Sequence, residues 1–199
     1  MNRNNKRMTE QTRKLVLSAV MTAIVVIFQV MAVLTRAVMP VFSINLVLIP
    51  IVIGAAIGGV SIGGWLGFVS GVAVLISGDA AAFWAVNIPG TIITVLLKGF
   101  LSGVAAAFVY KLLENKNRYF AVLAAAVACP MVNTGVFVLG CFTFFMETVK
   151  ALGELLGYDN AFAYIILEMV GINFIIELAL NVILSPTVVK LIDIKKKMD

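Results

Sequence analysis

Apolar runs long enough to cross a lipid bilayer recur along this chain, and away from the ends of these runs only three charged residues, Lys98, Glu168 and Glu177, fall inside them. A hydrocarbon core ~30 Å thick needs about 20 apolar residues of helix. Within it the backbone N–H and C=O groups must satisfy one another, which a helix does along its own length. Six stretches meet or approach that length: 15–35, 42–58, 61–78, 88–113, 119–146 and 161–192. The second and third are slightly short and separated by a Gly-rich turn. Asn87 is placed to N-cap the fourth, with Pro89 in its first turn. At about 20 residues each, the six leave no room for a second domain in 199 residues. The expected fold is an all-α integral membrane protein, a six-transmembrane-helix bundle forming a single membrane domain over 1–199.

Composition points the same way. Hydrophobic residues make up 62% of the chain and charged residues 13%, against about 25% charged in soluble proteins; mean hydropathy is +1.08. The basic N-terminus ahead of the first run resembles a signal peptide, but the run is too long and no soluble domain follows it, so it is expected to be a retained span.

Charge placement supplies an orientation. One side collects the N-terminus, the fourth–fifth connection (Lys111, Lys116, Arg118) and the C-terminus, with twelve basic residues in all; the other holds only Arg36 and Lys150. Both termini are therefore expected to be cytoplasmic. The pI near 9.4 then reflects contact with the anionic inner leaflet of the lipid bilayer rather than with nucleic acid.

Several chemistries are excluded. The chain has no His, which removes His-based triads and His-ligated metal. Cys129 and Cys141, twelve apart on one helix, would stand ~18 Å apart, too far for a disulfide. No Walker A pattern occurs, so no nucleotide hydrolysis is expected of this chain. Neither a metal nor a cofactor is expected, and no enzyme activity: no convincing nucleophile–base pair can be assembled.

Two small-residue patterns bear on helix contacts. Gly59, Gly63, Gly67 and Gly71 are spaced by four, with Gly54 and Gly58 before them and Gly99 and Gly103 in the fourth span; packing within the chain is the expected use. In the first span Ala19 and Ala23, beside Ser18 and Thr22, form a smaller Ala-x-x-x-Ala pattern that by itself reads as internal packing. The outer connection 147–160 is either a simple tether or a surface helix presenting Leu152, Leu155 and Leu156 to the membrane.

With its length, six spans, charge distribution and opening segment TRKLVLSAVMTAIVVIF, the chain resembles the substrate-binding S components of energy-coupling-factor (ECF) transporters, the vitamin-uptake branch of the ABC systems. The segments INLVLIPIVIGAAIGG, LLKGFLSGVAAAFVYKLL and CPMVNTGVFVLG are also similar to family members. The resemblance implies that Ala19 and Ala23 dock a membrane coupling protein. It further implies two ATPase subunits that power the uptake of a ligand captured outside. The second span lacks the acidic stretch associated with riboflavin-binding members, and no signature points to one vitamin.

Polar groups inside a span are costly and usually face a partner or a cavity. Lys98 lies mid-way along the fourth span; Asn133 and Thr134 follow Pro130 in the fifth; Asn173, Glu177 and Asn181 share a face of the sixth, with Glu168 rotated off that stripe. Two readings stay open. In one, Lys98 and Glu177 neutralise each other and the asparagines tie helices together. In the other, Asn87, Thr91, Lys98, Asn133, Glu168 and Asn173 bind a small polar metabolite, pantothenate being suggested by Lys98 as a carboxylate partner. Phe83 and Trp84 either close over a bound ring or anchor the interface.

The function expected is thus a high-affinity binding subunit of an ECF transporter in the cell membrane. An autonomous secondary transporter or small channel is one alternative, although no inverted repeat is visible. A non-catalytic membrane scaffold is the other.

Overall fold

The computed structural model describes residues 3–38 and 46–198, and the side chains of 11–35, 46–171 and 173–193. Every regular element among these residues is helical: α1 (Arg3–Val38), α2 (Leu48–Gly58), α3 (Val60–Ile76), α4 (Ala81–Trp84), α5 (Ile88–Leu113), α6 (Arg118–Phe144), α7 (Met146–Leu155) and α8 (Ala161–Tyr164), then a π-helical turn (Ile165–Gly171) running into α9 (Ile172–Met198). Among the described residues, four stretches are long and apolar enough to cross a membrane: Gln11–Thr35, Ile88–Leu113, Arg118–Phe144 and Ala161–Asp193.

The second and third expected spans differ most from what is observed. Helix α2 begins only at Leu48 and has 11 residues, about 16 Å at 1.5 Å per residue; residues 42–45 of the expected span lie outside the described residues. It is apolar all round because it is buried, touching α1, α3, α5, α6 and α9. Its residues Ile51, Val52 and Ala55 join Val25, Leu66, Ala106, Val122 and Cys129 in the main core. Helix α3 ends at Ile76, earlier than expected, at a turn where Gly78 takes φ 79°.

Gly59 is not part of the glycine groove. With φ 78°, it forms the turn between α2 and α3 and adopts a conformation that side-chain-bearing residues avoid. The remaining glycines behave as expected. A Cβ on Gly67 would strike the carbonyl oxygen of Gly99, and one on Gly103 would strike that of Gly63. Helices α3 and α5 therefore touch backbone to backbone, the close approach that small residues permit between apolar helices. On its other side α5 packs along α6, where Gly140 sits against Thr94 and Phe144 against Gly90.

Helix α1 lies against α2 and α3. Val25, Gln29 and Ala32 are buried, and the Trp65 indole N–H donates to the Thr22 hydroxyl at 3.1 Å. The opposite face, including Val20, Ile27, Val30 and Leu34, is exposed. Ala19 and Ala23 are on this exposed side, so they do not serve the internal packing that the pattern alone suggests. Cys129 and Cys141 are both buried and unbridged.

Candidate functional site

One end of the bundle holds a half-open cavity of about 410 Å³, within the size range of small-molecule sites. Its wall comes from the end of α3, from α4, from the first half of α5, from the middle of α6, and from the π turn with the start of α9. Lys98, Asn133, Glu168 and Asn173 all line it, as do Thr134 and Glu177. Four of the six expected ligand contacts are thus brought together from three separate parts of the chain.

Asn87 and Thr91 are not among the lining residues, and both act locally at the start of α5. The Asn87 side chain accepts from the Gly90 N–H at 2.9 Å, an N-cap. The Thr91 hydroxyl is fully buried and donates to the Asn87 carbonyl at 2.8 Å. Asn181 is buried below the cavity; its amide donates to the Glu177 carbonyl one turn earlier, within its own helix, at 2.8 Å. Phe83 lines the cavity, whereas Trp84 packs against Val74, Ala80 and Val95.

Glu168 reaches the cavity by a route that regular helical spacing does not anticipate. At 100° per residue it stands well away from Asn173 and Glu177. It lies in the π turn Ile165–Gly171, where bonding runs i→i+5 and residues five apart fall on one side. The turn adds a residue to the helical circuit and swings Glu168 onto the wall that carries Asn173 and Glu177.

Aromatic rings and hydrogen bonds fix the lining. The Lys98 ammonium stands over the Phe137 ring, 5.3 Å from its centroid, where the negative ring face attracts it. Phe83 meets Phe137 edge-on with centroids 5.7 Å apart and also contacts Phe145 at 4.8 Å, which holds the four-residue α4 over the cavity. The Tyr158 phenol donates to Glu168 Oε2 at 2.9 Å. That hydrogen bond to a carboxylate raises the phenol's pKa above 10.0, with desolvation and the Glu168 charge adding to the shift. The Gln29 amide, 2% exposed in α1, donates to Asp79 Oδ2 at 3.1 Å and to the Ser77 hydroxyl at 3.3 Å. Asn173 Oδ1 is buried with no hydrogen-bond partner, the kind of group a bound ligand would satisfy.

Asp79, Tyr158, Tyr164 and Gln29 are functional candidates absent from the sequence expectation. Asp79 had a visible signal, being the only charged residue between Arg36 and Lys98. Gln29, an amide within an apolar run, had a weaker one. Nothing local marks Tyr158 as the partner of Glu168.

The connection 147–160 contains a helix, α7, rather than being a bare tether. Val149 and Gly153 are buried, while Leu152, Leu155 and Leu156 are exposed. At the opposite end of the bundle, Arg118 at the start of α6 pairs with Asp193 near the end of α9.

Residues 13–189 match a family model described as ECF transporter, substrate-specific component. No curated protein and no solved structure gives a significant match.

Proposed function

Because the chain belongs to the substrate-specific components of ECF transporters, we propose that its cavity captures a vitamin or related small metabolite outside the cell for uptake driven by two partner ATPases through a membrane coupling protein. The observation that carries this reading is the polar cavity itself. Lys98, Asn133, Glu168, Asn173 and Glu177 converge on one half-open cavity inside otherwise apolar helices, where such groups are costly unless used.

In this reading the chain is a single membrane domain that crosses the bilayer six times, with α2 and α3 as the two short crossings and both termini cytoplasmic. The basic residues near the two ends, and Arg118 paired with Asp193, then lie at the inner face. The cavity faces outward, beneath α4 and beside α7. Asn87 and Thr91 contribute indirectly, by fixing where α5 begins.

The coupling protein docks on the exposed face of α1 through Ala19 and Ala23. Small side chains there permit close helix approach, and the opposite face of α1 already holds α2 and α3. Purifying the chain in detergent, denaturing it and weighing the small molecules released tests the capture role. A single stoichiometric metabolite is expected; an empty cavity from cells grown in rich medium contradicts it.

A further inference from the structure

The charge and shape of the cavity wall narrow the ligand class. Among the described residues, three carboxylates, Asp79, Glu168 and Glu177, line it against one cation, Lys98. The excess of carboxylates over ammonium in the wall holds however these groups pair among themselves. The hydrogen bonds received by Asp79 from Gln29 and by Glu168 from Tyr158 come from neutral donors. They add no positive charge to the wall.

Two further features have the same polarity. The buried, unpartnered atom in the wall, Asn173 Oδ1, is an acceptor and calls for a donor on the ligand. Phe83 and Tyr164 present aromatic surface, and ring faces attract cationic nitrogen, including quaternary nitrogen. The carboxylates are also spread around the wall. No group of three or more His, Cys, Asp or Glu side chains able to hold a metal ion occurs among the described residues. The arrangement suits an extended organic cation better than a metal ion.

We infer that the cavity selects a ring-bearing ligand with a positively charged nitrogen, with Asp79, Glu168 and Glu177 as its specificity-determining carboxylates and Asn173 as an acceptor for its N–H or O–H. This rests on the binding-subunit reading above and reverses the charge expected from Lys98 alone. A pantothenate-like anion would meet three carboxylates for one ammonium. Lys98, drawn toward the Phe137 ring, serves instead to moderate the negative field and to contact a neutral or electron-rich part of the ligand.

The test uses the full chain in detergent, incubated with an equimolar mixture of thiamine and pyridoxamine as cations and pantothenate and biotin as anions, then washed and denatured. Retention of a cationic member alone is expected. Its affinity should fall at least tenfold in both Glu168→Gln and Glu177→Gln, and by less in Lys98→Met. Glu168 is exposed at the cavity rim, so its variant reports on binding even if the buried Glu177 variant folds poorly. Retention of pantothenate or biotin, or failure to retain either cation, overturns the inference. Co-purification with the coupling protein is measured on the same preparation. A chain that assembles but retains an anion loses only the charge assignment, whereas one that neither assembles nor retains any member loses the binding-subunit reading as well.

Discussion

The phenol of Tyr158 and the carboxylate of Glu168 are joined across the cavity rim, and the consequence for Tyr158 can be measured. Its hydroxyl is a donor only while protonated, so the contact lifts its pKa above the ordinary 10.0. A group whose folded pKa is raised contributes stability that is complete below its unfolded value and lost as pH rises through the folded one. Tyrosinate absorbance should therefore contain a component from Tyr158 that ionises later than an exposed phenol. Glu168→Gln should return that titration toward 10.0, and an unchanged curve would show that the contact does not form. The sequence could identify Glu168 as a costly group in a span, but not its partner. Lys98, Asn133 and Asn173 were legible for the same reason, a polar side chain in an apolar run. Asn87 was legible as a helix start, and the polarity of both Asn87 and Thr91, expected to serve a ligand, is used there. Gln29 and Asp79 meet across 50 positions, a pairing that no local pattern encodes.

The helices divide into those whose ends are written locally and those set by their neighbours. Helix α5 runs from Ile88 to Leu113 as expected because Asn87 and Pro89 fix its start chemically. Helix α2 carries no side-chain cap, so its beginning within a continuous apolar run depends on the helices around it. The π turn is equally invisible to regular spacing, and it brings Glu168 to the cavity. Deleting exposed Leu167 from the turn should restore an i→i+4 course and weaken ligand binding by about tenfold or more, some 1.4 kcal/mol, while circular dichroism keeps its helical signal. Unaltered affinity would deny the turn that role. The glycine seam offers a paired comparison. Gly67→Val must push α3 away from the Gly99 backbone and should lower stability by about 1–3 kcal/mol, as overpacking does. Gly135→Ala in α6 meets open space and should raise it by about 0.5–1 kcal/mol through helix propensity. Unfolding in detergent reads both, and equal stability of the two variants would argue against the seam.

At the scale of the whole molecule, the binding cavity and the docking face occupy separate regions. The cavity is walled by α3 to α6 and the last helix, while Ala19 and Ala23 lie on the exposed side of α1. Ala19→Leu or Ala23→Leu should therefore abolish assembly with the coupling protein and uptake while leaving ligand affinity within about twofold, well under the 1.4 kcal/mol that marks a tenfold change. Loss of affinity in both variants would place these residues in the receptor's own packing. Such a division of labour leaves the chain able to bind but not to pump. The most direct measurement reconstitutes it in liposomes, alone and with its coupling protein and ATPases, and follows the metabolite that co-purifies with it. Binding without ATP and accumulation only in the complete, ATP-supplied assembly are predicted; accumulation by the chain alone, driven by ATP or by a proton or sodium gradient, would contradict the account.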